Sequence, residues 1–292
     1  DKGKDLDWFG STVITALAVV AGIGFAVFLV WELTDKHPVV DLKLFARRNF
    51  WTSTLAISLG YGAYFGNVVL LPLWLQEYMG YTATMAGFIL APVGVLAILI
   101  TPMVGRNLHR VDPRMFASAS FLVFALVLWM RSLFNTEADI ETLMIPTLIQ
   151  GAGVACFFVP LVALSLSGLA PSRIPAASGL FNFARIVAGS FGTSITTTAW
   201  DQRASVHHAQ LAAGISPYDL PSQHALATMQ AGGLTAEQAH AAINRMIDQQ
   251  AFMLSANDIF YVSALLFAVL IGVVWLAKPV KSIGGAPIAA GD

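Results

Sequence analysis

Four stretches of this chain run for longer than a membrane is thick without a single charged residue. Ser11–Trp31, Asn49–Gln76, Tyr78–Gly105 and Thr142–Ser172 contain no Asp, Glu, Lys or Arg. Each exceeds the roughly 20 residues an α-helix needs to cross a hydrocarbon core about 30 Å thick. Charged residues make up only 11% of the 292, and hydrophobic ones 57%, whereas a soluble domain carries about 25% charge. Lipid offers no partner for backbone N–H and C=O groups, so the spans must be helical. The expected fold is an all-α integral membrane bundle of about seven transmembrane helices.

The seven spans fall at about 11–31, 50–76, 84–105, 115–134, 143–168, 176–200 and 257–277. Arg131 closes the fourth, and Arg185 sits inside the sixth. Alternate connections hold Lys36, Lys43, Arg47 and Arg48, then Arg106, Arg110 and Arg114, then Arg173, then Lys278 and Lys281. These are 10 of the 16 basic residues. The opposite side holds Lys2 and Lys4 and the acidic turn 135–142. Basic loops stay in the cytoplasm, so residue 1 is expected outside and residue 292 inside. Because the chain opens on Asp1 without a signal peptide, helices are expected upstream of it.

The longest connection, about 201–256, lies on the outer side. Gly232-Gly233 reads as a helix stop, and Thr235 with Gln238 has capping-box spacing. Two short surface helices, 222–231 and 236–254, are expected there. An ordered insertion of that length usually docks a partner or caps an exit.

Residues that could carry catalysis are missing. The spans are expected to bury no Asp or Glu. His207-His208 read as solvated loop residues without a spaced Cys/His set, so no metal site is expected, and no GxGxxG or HExxH motif occurs. Net charge is −1, which gives nucleic acid nothing to bind. Cys156 is the one cysteine and reads as a small buried hydrophobe.

Helix deformers are plentiful instead: Gly60, Gly62, Gly66 and Pro72, then Gly87, Pro92, Gly94 and Pro102, then Pro146, Gly151, Gly153 and Pro160. Gly62 and Gly66 form a GxxxG pair, which allows close helix approach. The other reading of these positions is bending in helices that rock against each other. Arg185 lies nine residues beyond Ala176, roughly 13 Å deep at about 1.5 Å per residue. A buried Arg demands a polar surround and a partner, with Asn182 and Gly189 on its face. Further polar faces place Tyr64 and Asn67 beside Tyr61 and Phe65 in the second span, and Gln150 with Phe157 in the fifth. These suit either a roomy site for apolar, drug-like molecules or plain helix packing.

Several motifs together resemble the EmrB/QacA-type drug:proton antiporters, fourteen-helix members of the major facilitator superfamily. They are Asp7-Trp8-Phe9, Trp31-Glu32, His37-Pro38-Val39-Val40-Asp41-Leu42, Arg48-Asn49-Phe50 and Leu71-Pro72-Leu73-Trp74-Leu75-Gln76. Gly151-Ala152-Gly153, Phe158-Val159-Pro160-Leu161 and Ala177-Ser178-Gly179-Leu180-Phe181-Asn182-Phe183-Ala184-Arg185 extend the likeness over nearly the whole chain. Gly105, Arg110 and Arg114 are similar to that superfamily's cytoplasmic gate loop, from which Asn107 and His109 depart.

The resemblance implies a C-terminal half-bundle. Residues 1–49 would supply a periplasmic start, a linker helix and a cytoplasmic loop, and residues 50–292 six helices with the outer loop at about 201–256. It implies an inner-membrane multidrug exporter that needs no cofactor and is driven by the proton gradient. Its companions would be the lipid bilayer, hydrophobic drug-like substrates and a missing N-terminal half carrying the coupling acids. A periplasmic membrane-fusion protein and an outer-membrane duct would complete an envelope-spanning pump. Substrate-pocket candidates are Tyr61, Tyr64, Asn67, Gln150, Phe157 and Asn182; gating or coupling candidates are Arg185, Gly105, Arg110 and Arg114. The alternatives are a membrane-embedded lipid- or sugar-modifying enzyme, which would need an acidic or histidine cluster at the membrane face, and a non-transporting scaffold subunit.

Overall fold

The computed structural model describes residues 10–34, 41–215 and 220–279. Asp7-Trp8-Phe9, His37-Pro38-Val39-Val40, Lys2, Lys4, Lys36, Pro217, Lys281 and both chain ends lie outside them. The described residues form α1 (Thr12–Thr34), α2 (Arg48–Glu77), α3 (Ala83–Leu90), α4 (Pro92–Asn107), α5 (Pro113–Arg131), α6 (Ile140–Ala155), α7 (Phe158–Leu166), α8 (Ile174–Ala213), α9 (Leu220–Ala231) and α10 (Ala236–Trp275). No strand occurs among them.

Among the described residues, helices long and apolar enough to cross a membrane number six: α1, α2, α3 with α4, α5, α6 with α7, and α10. The sixth expected span is a helix, α8, but falls short of that apolarity. Its hydroxyls turn back onto their own backbone instead. Thr193 Oγ1 donates to Gly189 O at 3.0 Å and Thr197 Oγ1 to Thr193 O at 3.1 Å, which removes much of the penalty of carrying them into a bundle.

α1 presents most of its apolar side chains to the outside, with Glu32 near its end buried. α2 to α8 and α10 close around an aromatic core, while α9 buries no residue and packs on α10. Phe157 and Phe267 both lie against Phe124, with ring centroids 5.5 Å and 5.0 Å away. α2 and α8 meet backbone to backbone through the expected GxxxG pair. A Cβ on Gly62 would lie 2.8 Å from Ala188 O, and one on Gly192 would lie 2.4 Å from Gly62 Cα. Any side chain at Gly192 would therefore have to push main chain aside.

Two of the expected deformers interrupt helices. α3 gives way to α4 at Pro92, and α6 to α7 at Cys156-Phe157, four residues before Pro160. A proline cannot donate to the carbonyl four residues back and its ring crowds it. Pro72, Pro102 and Pro146 stay inside continuous helices.

The segment 201–256 differs most from expectation. α8 continues through it to Ala213, and the amphipathic helix expected at 236–254 is continuous with the last span as the 40-residue α10. The capping box is present: Thr235 N donates to Gln238 Oε1 at 2.9 Å and Gln238 N to Thr235 Oγ1 at 3.2 Å. The glycine stop is present too, with Gly233 at φ +95°, a conformation that disfavours any side chain.

An aromatic seam marks where α8 and α10 leave the bundle. Trp200 Nε1 donates to Phe252 O at 3.0 Å, and Tyr78 stacks on Phe252 at 4.2 Å. Burial pushes the Tyr78 phenol up to about 12, helped by the negative charges of Glu77, Asp201 and Asp248. From Phe252 to Trp275 α10 rises about 35 Å, enough for the hydrocarbon layer and its aromatic belts. Residues 236–251 then project a further ~24 Å beyond it, beside the end of α8. The two form a helical stalk.

Candidate functional site

Helix α2 sets the centre of the candidate site because its face toward α7 and α8 carries Tyr61, Tyr64 and Phe65 one turn apart. Tyr61 stacks on Phe65 at 4.3 Å and meets the edge of Phe158 at 5.8 Å. Arg185 from α8 lies over both faces, its guanidinium carbon 5.1 Å from the Tyr61 ring and 5.4 Å from the Phe158 ring. Glycine at 189 permits this: a Cβ there would sit 2.7 Å from Tyr61 Cε1. The side chain of Arg185 is half-buried, and its Nε is buried without an acceptor. The partner expected from its charge is thus a pair of rings, with no carboxylate among the described residues.

The other pocket candidates scatter. Tyr64 is half-buried and bridges Phe65 to Phe124 and Phe157. Phe157 is fully buried and belongs to the core. Asn67 is buried and donates to Ser263 Oγ of α10 at 3.0 Å. Gln150 is bound to a different arginine altogether. Asn182 is exposed and, among the described residues, makes no hydrogen bond to Arg185 or to the cluster's ring residues, so the expected pocket does not gain it.

That other arginine is Arg131, read from the sequence only as the end of a span. It is 1% exposed, more deeply enclosed than Arg185. Its Nη2 donates to Gln150 Oε1 at 2.8 Å and to Thr147 Oγ1 at 3.1 Å, while Nε has no acceptor. The signal was in the sequence. Thr147 and Gln150 sit three apart on one face of the next span, which is what a buried cation at a helix end needs.

The expectation that the spans bury no acid is corrected at two positions: Glu32, at the end of the first spanning length, is buried, and the second is in the last span. Asp258, in α10, accepts from Arg203 Nε at 2.9 Å and pairs with His207 Nε2 at 2.8 Å. His208 lies 3.5 Å from Asp248 and 3.2 Å from Asn244. The two histidines therefore clasp the stalk and are not free loop residues. Arg203 and His207 are four apart, one helical face, but only the continuation of α8 into the stalk makes that spacing meaningful.

At the basic end the three gate candidates do not gather. Gly105 and Arg110 are exposed, and a Cβ on Gly105 would meet nothing. Arg114 is anchored. Its Nη1 donates to Ala277 O at 3.0 Å, its guanidinium covers Trp275 at 5.0 Å, and Nη2 reaches Asp112 Oδ2 at 2.7 Å. Burial alone would raise the Asp112 carboxyl, but the Arg114 hydrogen bonds and charge hold it below its usual range. Arg47 donates to Gly168 O, Arg48 to Leu276 O, and Asn49 accepts from Lys278 N at 2.7 Å. These groups satisfy the free carbonyls just past α7 and α10, where cations are also favoured by the helix dipole. The sequence marked Arg47 and Arg48 as signs of topology, and Arg48 also as part of a family motif, but neither as a ligand of a helix end.

The sequence model of the family described as Major Facilitator Superfamily matches residues 6–193. The chain is 47% identical over 286 residues to the multidrug export protein EmrB of Escherichia coli (strain K12), covering 98% of this chain and 56% of that protein. It is 42% identical over 285 residues to the fatty acid resistance protein FarB of Neisseria gonorrhoeae, with the same 98% and 56% coverage. To the EmrB of Haemophilus influenzae it is 44% identical over 280 residues, 96% of this chain and 55% of that one. The chain spans about half the length of the curated relatives it matches.

Proposed function

The chain belongs to the Major Facilitator Superfamily, and from that premise we propose that it serves as the C-terminal half-bundle of a multidrug exporter. The exporter drives hydrophobic compounds outward in exchange for protons. The observation that carries this reading is the half-buried wall of Tyr61, Phe65 and Phe158 with Arg185 across it. It offers flat apolar surface and one charge, the make-up of a site that tolerates varied ligands. Export by the relatives named EmrB supports it. An N-terminal half of the same transporter completes the pathway and supplies the proton-binding acids. The stalk of α8 and α10 docks a periplasmic membrane-fusion protein, which leads to an outer-membrane duct.

Proteoliposomes holding the complete transporter test the exchange. An imposed pH gradient should drive dye movement, and collapsing it with a protonophore should stop the flux. Flux that continues after the collapse contradicts proton antiport.

The orientation we propose puts the basic end in the cytoplasm of the inner membrane and the stalk in the periplasm. Cysteine placed at exposed Ser205, with Cys156 replaced by Ser, should react with an impermeant thiol reagent in intact cells. Cysteine at exposed Ala46 should react only after lysis. The reverse pattern would overturn the orientation.

A further inference from the structure

We infer that Arg185 receives a carboxylate of the transported molecule, so that the site favours amphiphiles with an anionic end and an aromatic or apolar body. This rests on the export reading above and narrows it.

The charge balance of the bundle interior is the starting point. Two guanidinium groups, Arg131 and Arg185, lie within it, and among the described residues neither forms an ion pair. The acid nearest in kind, Asp258, is held at the stalk by Arg203 and His207. Glu32 is buried but lies two residues from the end of α1, outside the core of the bundle, and Glu77, Glu137, Asp139 and Glu141 sit at or beyond helix ends. The described interior is therefore positive, and a field of that sign in a low-dielectric site repels a cationic ligand and favours an anion.

Arg131 cannot be the receiving group, since it is enclosed and already bound to Gln150 and Thr147. Arg185 can. Its side chain is half-buried, its Nε is buried without an acceptor, and it donates no hydrogen bond among the described residues. What holds it is the faces of Tyr61 and Phe158. The Tyr61 and Phe158 rings stand at 73° to each other, so the guanidinium can lie flat on at most one of them, while a carboxylate binds along its edge through two parallel N–H donors. The two are compatible. The same rings, with Phe65 stacked on Tyr61 at 4.3 Å, provide a flat apolar seat beside the charge for the body of the ligand.

The test uses a matched pair of probes, 2-naphthoate and 2-naphthamide, which share shape and differ in charge. Uptake of each into inside-out vesicles holding the complete transporter is measured under a pH gradient, normalised to transporter abundance. The unaltered protein should prefer the carboxylate by about tenfold or more. In Arg185→Gln that ratio should fall to near one, and in Arg185→Lys it should be partly kept, because charge remains and the fork is lost. A ratio left unchanged while both fluxes fall together would overturn the proposal. It would mean that the partner of Arg185 is a carboxylate of the remaining half of the transporter. Should Arg185→Gln not reach the membrane, the unaltered protein still decides: 2-naphthoate should inhibit dye efflux at about a tenth of the 2-naphthamide concentration, and equal inhibition would overturn the proposal. Failure of the unaltered protein to move either probe or any dye would instead overturn the export reading itself.

Discussion

Deleting residues 206–250 is expected to abolish export across the cell envelope while leaving the bundle folded in the membrane. The cut removes most of the stalk, where the fusion protein is proposed to dock, so resistance should fall to the level of cells without the transporter. The bundle should survive because its closing contacts lie on the retained side of the cut. Trp200 still donates to Phe252 O at 3.0 Å, Ser255 Oγ to Trp200 O at 2.6 Å, and Arg203 still pairs with Asp258. With Trp200 and Phe252 rings only 5.1 Å apart, a short Gly/Ser linker can join 205 to 251. The cut also takes His207 from Asp258, which keeps Arg203 as its partner. The lost pair of His208 with Asp248 is about a third or more exposed on both sides, and such pairs are worth ~0.2–1 kcal/mol. Drug susceptibility and membrane abundance, measured together, check this. Undiminished resistance at normal abundance would remove the stalk from the export pathway.

The second large effect is on stability. Replacing Arg131 by Ala is expected to destabilise the bundle by about 3–5 kcal/mol, combining a cavity with the stranding of Gln150. Arg131→Met should be far milder. Met fills much of the same volume and removes the penalty of holding an ion in a dry interior, which often exceeds what its partners return. Thermal unfolding of the purified transporter in detergent separates the two. If Met proves as damaging as Ala, the charge itself is needed for folding, through an acid that the described residues do not contain.

Comparing Arg131 with Arg185 shows how far the sequence could be read. Both appeared as charges in or beside apolar runs, and Arg185 looked the deeper because it lies further from a predicted helix end. In the fold Arg131 is enclosed on all sides and Arg185 half-open. Depth along a helix axis is a sum of residue steps, but burial depends on which face the neighbouring helices cover. Asn182 failed for that reason too: it shares a helical face with Arg185, yet it is exposed while Arg185 reaches the rings. The prolines repeat the lesson. Pro92 and Pro160 interrupt helices while Pro72, Pro102 and Pro146 do not, because a missing backbone bond can be made good by what packs around it.

What the sequence alone determined is which stretches are apolar enough to cross a membrane. Among the described residues the uncharged runs, the Gly233 stop and the Thr235 capping box appear where the residues indicated. Transfer free energies add along the chain, and caps and stops act within a few residues, so a linear reading suffices for them. Tertiary structure decided the rest. It joined the outer helix to the last span as α10, carried α8 out beside it, and brought Arg203 and His207 to Asp258. It also laid Arg185 on Tyr61 and Phe158 and gave Gln150 to Arg131. Each of these depends on the rotation and offset of one helix against another. Those quantities come from close packing over residues distant in sequence, such as Gly62 against Gly192, and no local pattern encodes them.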